Sequence, residues 1–157
     1  MTITSCDDFV AEQLNITAPE NSKNTDGIHI SRSNLVRILD SFIGTGDDCI
    51  SIGEGSNNVN VSRIICGPGH GISIGSLGKR PEDDSVTGIF VSNSTLTKTT
   101  NGVRIKTFHN SPQIEASGIT FEDIIMNDVK NPIIIDQHYM SKRKSGVISL
   151  SSLQIMI

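Results

Sequence analysis

The fold of this chain is indicated by three stretches that align without a gap: Asp26-Gly-Ile-His-Ile-Ser31, Asp48-Cys-Ile-Ser-Ile-Gly53 and His70-Gly-Ile-Ser-Ile-Gly75. Their first residues are 22 positions apart in both intervals, from 26 to 48 and from 48 to 70. A constant period of roughly 20–50 residues is typical of repeat proteins, in which each unit buries its apolar face against its neighbours. Isoleucine recurs at every second position of each stretch, which is the period of a β-strand. The repeat therefore predicts a solenoid of stacked strands.

The same alternation of apolar residues returns twice later in the chain, at residues 101–107 and 131–136. These strands follow at intervals of 31 and 30 residues (70 to 101 and 101 to 131), so their coils carry insertions. Insertions in solenoids form loops, often on the binding face. We assign residues 76–85 and 108–117 to two such loops.

Asparagine and glycine mark the corners between strands, because both tolerate the left-handed backbone that tight turns require. Corners are predicted at residues 33–34, 56–58 and 92–94. The chain, residues 1–157, is therefore expected to be a single all-β domain. We predict a right-handed parallel β-helix of about six coils with uncapped ends.

Composition and charge exclude several alternatives. A β-sandwich would show hairpin turns and no constant offset, and no window sustains the period of the amphipathic helices that a βαβ fold needs. No stretch is long and apolar enough to span a membrane. The net charge of −4 gives no general attraction to polyanions, so neither nucleic acid nor a membrane is an expected partner. An anionic ligand would need a local basic patch.

Stacking in register would place Asp26, Asp48 and His70 in one column, with neighbours about 4.8 Å apart. Asp47 adds a further carboxylate beside Asp48. Three acids this close cannot all ionise cheaply, so at least one is expected to hold a proton near neutral pH. A protonated carboxylic acid beside an ionised one can cleave a glycosidic bond, because the acid protonates the leaving oxygen while the carboxylate activates a water.

Two non-catalytic roles for these acids stay open: an aspartate ladder that fills the turns, and a bound Ca²⁺. A calcium site is expected to use more oxygen ligands and no imidazole, and structural zinc usually recruits cysteine or several histidines. The alignment of four ionisable residues across three coils favours catalysis. No metal or other cofactor is expected.

Arg104 and Lys106 occupy alternate positions of one predicted strand, so both point out of the core, one coil beyond His70. A forked guanidinium and an ammonium two residues apart suit a carboxylate-bearing ligand. The alternative is a solvated strand face. Beside three acids, the pair favours a groove that hydrolyses an anionic sugar polymer.

Four further residues are ambiguous from sequence alone. His29 faces out of the core, but at a coil edge it would only cap a neighbour. His109 and His138 have no partner in the column and are predicted to be surface residues. Tyr139, the only tyrosine, either stacks against a sugar or covers the core.

The sequence resembles the polygalacturonases, family 28 of the glycoside hydrolases, and their plant branch in particular. Four blocks match the family pattern in order: Asn24-Thr25-Asp26, Gly46-Asp47-Asp48, Gly69-His70-Gly71 and Arg104-Ile105-Lys106. The resemblance covers nearly everything from Cys6 to about Tyr139. It implies a β-helix of the pectin-lyase type that hydrolyses α-1,4 linkages between galacturonic acid units of pectin, with inversion at the anomeric carbon.

The resemblance also implies a role for each matching residue. Asp47 would be the general acid, which His70 tunes or orients, while Asp26 and Asp48 would hold and deprotonate the water. The residues implied in substrate binding are Arg104, Lys106, Tyr139 and Asn24. The family pattern further implies a disulfide between Cys49 and Cys66, which leaves Cys6 without a partner.

The chain departs from the family in places. Met140 replaces an expected cysteine, and residues 141–157 diverge, so the chain is interpreted as a central fragment. A truncated, non-catalytic β-helix that at most binds pectin is the alternative function. Secretion to the cell wall is expected from the family and from possible glycan acceptors at Asn15, Asn60 and Asn93. A monomer is expected.

The stereochemical outcome carries a conflict. A spacing near 5 Å between the acids is typical of retaining enzymes, whereas inverting enzymes separate them by about 6.5–9.5 Å. The prediction follows the family and is inversion.

Overall fold

The structure is a computed structural model, which describes residues 1–109, 111–140 and, for the backbone alone, 153–156. The described residues form fifteen strands: β1 (Thr2–Thr4), β2 (Asp7–Glu12), β3 (Asn15–Thr17), β4 (Ile28–Ser31), β5 (Asn34–Leu39), β6 (Phe42–Gly44), β7 (Ile50–Ile52), β8 (Asn57–Ser62), β9 (Ile65–Cys66), β10 (Ile72–Leu77), β11 (Val86–Thr97), β12 (Asn101–Phe108), β13 (Ala116–Asn127), β14 (Asn131–Tyr139) and β15 (Leu153–Met156). Apart from β15, the divergent tail lies outside the described residues. No helix in the described part of the chain is long and apolar enough to cross a membrane.

The first sheet contains one strand from each coil, in the order β1-β4-β7-β10-β12-β14, with all neighbours parallel. Ile28, Ile50 and Ile72 are register partners on successive strands, as the 22-residue period requires, and Val103 continues the column after a longer coil. Six strands joined by five turns confirm the predicted parallel β-solenoid.

The second sheet forms the opposite wall. Strands β2, β5, β8, β11, β13 and β15 pair in parallel in that order, and the shorter β3, β6 and β9 join it. β11 is twelve residues long and pairs with β8 along its first half and with β9 along its second. The corner that separates β8 from β9 in one coil is therefore replaced in the next coil by the uninterrupted strand β11.

The core lies between the two sheets and consists mainly of isoleucine and valine. The inward isoleucines of β4, β7 and β10 are fully buried, as are Val36 and Val59 on the opposite wall. Full burial of one such side chain contributes roughly 1.5–3 kcal/mol relative to an exposed position. The stacked repeat thus supplies both the register and most of the apolar stabilisation.

The corners follow columns of left-handed residues that only partly match the predicted asparagines. Asn58 and Asn93 have φ of 52° and 49°, within the predicted corners. At the first corner, however, the left-handed residue is Leu35 with φ of 55°, not Asn34. Leu35 aligns in register with Asn58, so position in the coil sets the backbone conformation here, against the preference of the residue.

Candidate active site

The candidate site is a groove of about 490 Å³ on the outer face of the first sheet. Its walls come from β4, β7, β10 and β12, from the segments that lead into them, and from the end of β14. The groove brings together all eight sequence-predicted catalytic and substrate-binding residues: Asn24, Asp26, Asp47, Asp48, His70, Arg104, Lys106 and Tyr139. His29, Ser51 and Glu54 also line it.

Asp48 is held by three donors at the base of the groove. Its side chain is 2% exposed, and its Oδ1 accepts from the Ser73 hydroxyl at 2.8 Å and from Arg104 Nη2 at 2.7 Å. Its Oδ2 accepts from Lys106 Nζ at 2.9 Å. Two cations against one carboxylate leave one surplus positive charge in this cluster, which favours an anionic ligand.

Asp47 pairs with His70. Its Oδ1 lies 2.8 Å from His70 Nδ1 and also accepts from the Asp48 backbone N–H at 2.9 Å. The backbone of His70 follows the same column as Asp48, yet its ring contacts Asp47, because both residues lie in a bend rather than in a regular strand. Oδ2 of Asp47 accepts no hydrogen bond from the described residues, so it is the oxygen available to a ligand.

Asp26 is half-buried and accepts from the Ser51 hydroxyl at 2.6 Å through Oδ2. Burial raises the pKa of Asp26 above its ordinary value, and the nearby charges of Asp48 and Asp47 raise it further. The Ser51 hydrogen bond and His29 oppose that shift. A carboxyl that binds its proton more tightly than usual is the stronger base when ionised.

The far end of the groove is formed by Tyr139. Its ring packs edge-on against Phe108, with centroids 5.5 Å apart, and Lys106 Nζ lies 5.3 Å from its centroid. This cation–π contact holds both side chains at one wall. At the opposite end Asn24 lines the groove from a left-handed position with φ of 53°.

The structure adds a contact between two histidines that the sequence placed on the surface without a partner in the column. His138 is exposed and His109 is half-buried, and their rings stack with centroids 5.2 Å apart. The pairing of Phe108 with Tyr139 at the ends of β12 and β14 brings them together. The inserted loop after β12 concealed this neighbourhood in the sequence.

Residues that could hold a metal ion are Asp47, Asp48 and His70, whose ligand atoms lie within 4.8 Å of one another. Both oxygens of Asp48 already accept hydrogen bonds from cationic side chains, and His70 Nδ1 is bonded to Asp47. A cation there would have to displace the ammonium or the guanidinium. The arrangement fits acid–base chemistry better than metal binding.

A disulfide joins Cys49 and Cys66 directly behind the site. Both cysteines are fully buried, and the bond closes a loop with a sequence separation of 17 that contains all of β8. This is the pair that the family resemblance implies. Cys6 is a free, half-buried thiol.

Sequence reasoning missed Ser51 and Ser73, two serines that share an outward column in the groove with His29 and the predicted Arg104. His29, Ser51, Ser73 and Arg104 are register partners on β4, β7, β10 and β12. Each occupies the outward position between two inward apolar residues, which is the signal that could have identified them. Ser51 donates to Asp26, Ser73 and Arg104 donate to Asp48, and His29 contacts Ser51.

A second cavity of about 500 Å³ lies between β12, β13 and β14 and has a mostly apolar lining, including Val103, Met126 and Ile133. None of the sequence-predicted catalytic residues lines it. The chemistry belongs to the groove.

A parallel β-solenoid that presents several carboxylates in an open groove has the equipment of a glycoside hydrolase. The family model described as glycosyl hydrolases family 28 matches residues 1–156, and the chain belongs to this family.

Several named proteins are similar to the chain. It is 54% identical over 142 residues to an exopolygalacturonase of Arabidopsis thaliana, which covers 90% of this chain and 34% of the relative. It is 51% identical over 157 residues to a polygalacturonase of Medicago sativa, which covers 96% of this chain and 37% of the relative. The chain thus spans little more than a third of the length of the curated relatives it matches.

Solved structures agree with these matches. The polygalacturonase from Erwinia carotovora superposes with a TM-score of 0.81 at 33% identity, over 93% of this chain and 39% of that one. An endo-xylogalacturonan hydrolase from Aspergillus tubingensis gives a TM-score of 0.76 at 31% identity, over 85% of this chain and 38% of that one.

Proposed function

We propose that this chain carries the catalytic centre of a polygalacturonase, which hydrolyses α-1,4 linkages between galacturonic acid units of pectin. The observation that carries this proposal is the groove itself, in which three aspartates with different partners adjoin a cluster of surplus positive charge. The relatives named polygalacturonase support the choice of substrate.

Asp47 acts as the general acid in this proposal. Its Oδ2 has no hydrogen-bond partner among the described residues and is open to the glycosidic oxygen, while His70 fixes its Oδ1. Asp26 and Asp48 hold the water. Asp26 removes its proton, since burial makes that carboxylate a stronger base and Asp48 is engaged by Arg104 and Lys106.

The substrate is bound through its carboxylates. Lys106 donates one hydrogen bond to Asp48 and retains two N–H groups, and the Arg104–Lys106–Asp48 cluster remains net positive. Tyr139 offers a ring edge at one end of the groove, and Asn24 an amide at the other. No metal or other cofactor takes part in the proposed reaction.

Inversion is the proposed stereochemical outcome. In the proposed reaction, a water between Asp26 and Asp48 attacks from the face opposite the Asp47 acid, so a single displacement is possible despite the short spacing between the acids. An NMR time course of the products checks this. Release of the β-anomer first is expected, and release of the α-anomer first would overturn inversion.

The proposed setting is the plant cell wall, which the chain reaches by secretion and where it acts as a monomer on pectin. The plant relatives support this location, as do the exposed acceptor asparagines Asn15, Asn60 and Asn93. No nucleic acid or membrane partner is proposed.

Release of reducing ends from polygalacturonate at mildly acidic pH tests the function. Asp47→Asn is expected to abolish activity, because the amide cannot protonate the leaving oxygen. Asp84→Asn, the same change at an exposed loop position, is the matched control and is expected to retain activity. Absence of activity in the unmodified, folded chain would overturn the proposal for this chain.

A further inference from the structure

His29, which has no role in the proposed mechanism, is tied to a catalytic carboxylate through one serine. His29 Nδ1 lies 2.7 Å from Ser51 Oγ, and Ser51 Oγ lies 2.6 Å from Asp26 Oδ2. The two strands hold this chain of contacts in place, because His29 and Ser51 are register partners on β4 and β7. Ser51 is buried at the base of the groove.

The direction of these hydrogen bonds follows from counting protons. A serine hydroxyl has one hydrogen, which Ser51 donates in a hydrogen bond of 2.6 Å to the Asp26 carboxylate. Ser51 Oγ must then accept from His29, so Nδ1 carries the ring hydrogen and Nε2 is the nitrogen without a partner among the described residues. In the opposite tautomer, Nδ1 would compete with Asp26 for the same hydroxyl hydrogen.

The same device is repeated one coil further along. Ser73, 22 residues after Ser51, donates to Asp48 Oδ1 at 2.8 Å and accepts from Arg104 Nε at 3.0 Å. In both coils a buried serine gives its hydrogen to a carboxylate and receives one from a nitrogen base or cation. The repetition indicates that orienting the hydroxyl is the function of the nitrogen partner.

We infer that His29 and Ser51 are positioning residues for Asp26, which hold its Oδ2 so that Oδ1 faces the attacking water. Oδ1 accepts no hydrogen bond from the described residues, which leaves it free to receive the water proton. This inference rests on the proposed function only for the identity of the reacting water. The geometry around Asp26 is testable without any substrate.

The first test is a titration of Asp26 by ¹³C NMR of its carboxyl carbon, with Asp26→Asn to assign the signal. The charged groups that face Asp26 are Asp47, Asp48 and His29. Ser51→Ala is expected to move the Asp26 titration to higher pH, because the lost hydrogen bond stabilised the ionised form. His29→Ala is expected to shift it in the same direction. An unchanged titration in both variants overturns the inference.

Rescue separates positioning from strand packing. His29→Asn places an amide N–H where Nδ1 stood and is expected to restore the Asp26 titration, whereas the longer side chain of His29→Gln is not. Ser92→Ala removes a buried hydroxyl on the second sheet that donates to Ser62, so it is the matched control and should leave Asp26 unchanged. Equal behaviour of the asparagine and alanine variants contradicts the assigned donor.

Kinetics on polygalacturonate form the second test. Ser51→Ala and His29→Ala are expected to lower kcat by about 10–100-fold, the usual cost of removing an outer partner of a functional group, with KM little changed. A raised KM with unchanged kcat would mean that His29 binds substrate and would overturn the positioning role. If the unmodified chain is inactive, the proposed function fails, but the titration still decides the inference.

Discussion

Two aspartate–arginine pairs in this chain have similar bond lengths and opposite surroundings. Asp40 and Arg63, at a corner of the second sheet, form a forked pair with contacts of 2.6 and 2.7 Å, and their side chains are 43% and 53% exposed. Asp48 and Arg104, in the groove, approach to 2.7 Å but are 2% and 14% exposed. Distance therefore does not distinguish them, and burial does.

The difference decides what each pair contributes. Water solvates exposed charges well, so their pairing adds little to stability. Charges removed from water lose that solvation, and a buried partner left alone is strongly unfavourable. Substitution of any one member of the groove cluster should therefore destabilise the protein strongly, although the intact cluster contributes only modestly to the free energy of folding. In the proposed function, its use is to fix a charged geometry at the substrate site.

The largest effect is expected when Asp48 is replaced by asparagine. Two buried cations then lose their carboxylate, and breaking a buried pair costs about 3–5 kcal/mol. Urea unfolding monitored by circular dichroism measures this loss. Activity is expected to disappear as well, because Asp48 is one of the two carboxylates that bind the reacting water in the proposed mechanism.

A double variant controls this prediction. Lys106→Met removes one of the stranded charges, so Asp48→Asn with Lys106→Met is expected to be more stable than Asp48→Asn alone. A double variant that is as unstable as the sum of the two single changes would contradict the electrostatic origin of the loss.

Arg104→Lys is expected to have an intermediate effect. The ammonium keeps the charge but is a single nitrogen on a flexible stem, so it lacks the fixed fork through which two guanidinium nitrogens donate to Ser73 and Asp48. One lost hydrogen bond to this charged network costs about 1.5–3 kcal/mol. Urea unfolding is again the measurement, and KM for polygalacturonate is expected to rise.

Arg37→Lys, in the exposed pair with Asp8, is the matched control. An equal loss of stability in this variant would show that burial does not set the size of the effect.

Asp26→Asn is expected to produce a smaller change of opposite sign. The pKa of Asp26 is raised in the folded protein, chiefly by burial, so ionising it there is unfavourable. This cost is absent below the ordinary value of 3.8 and sets in as pH rises through the raised value. The variant should therefore melt at a higher temperature than the unmodified chain at neutral pH and at the same temperature in acid. A lower melting temperature at neutral pH would refute it.

The backbone geometry of the site was predictable because the period of 22 fixes the register. Once Ile28, Ile50 and Ile72 stack, the residues two positions before them must also stack, and Arg104 must fall on the outer face. The same period also predicted the solenoid fold. This prediction required only alternation and spacing, both of which are visible in one sequence.

The side-chain partners were not predictable in this way. The period places His70 in the column of Asp48, but the ring bonds to Asp47, because that choice depends on side-chain torsions in a segment without regular structure. Likewise, Arg104 and Lys106 were predicted to bind substrate carboxylates, and nothing in the sequence indicated that both also donate hydrogen bonds to Asp48. The His109–His138 stack escaped because inserted loops break the period.

The smallest effect is expected at the exposed pair, which completes the comparison. The Arg63 hydrogen bonds lower the pKa of Asp40 below its ordinary value of 3.8, so the pair stabilises the fold only above that value, and the contribution is lost as pH falls through the lowered one. Even at neutral pH, Arg63→Ala should leave the melting temperature within error of the unmodified chain, because solvent screens both charges. Added salt should not change the difference in melting temperature between the variant and the unmodified chain. A clear loss of stability, reduced by salt, would mean that exposure does not govern the strength of these pairs, and the expected contrast with Asp48 would then need another cause.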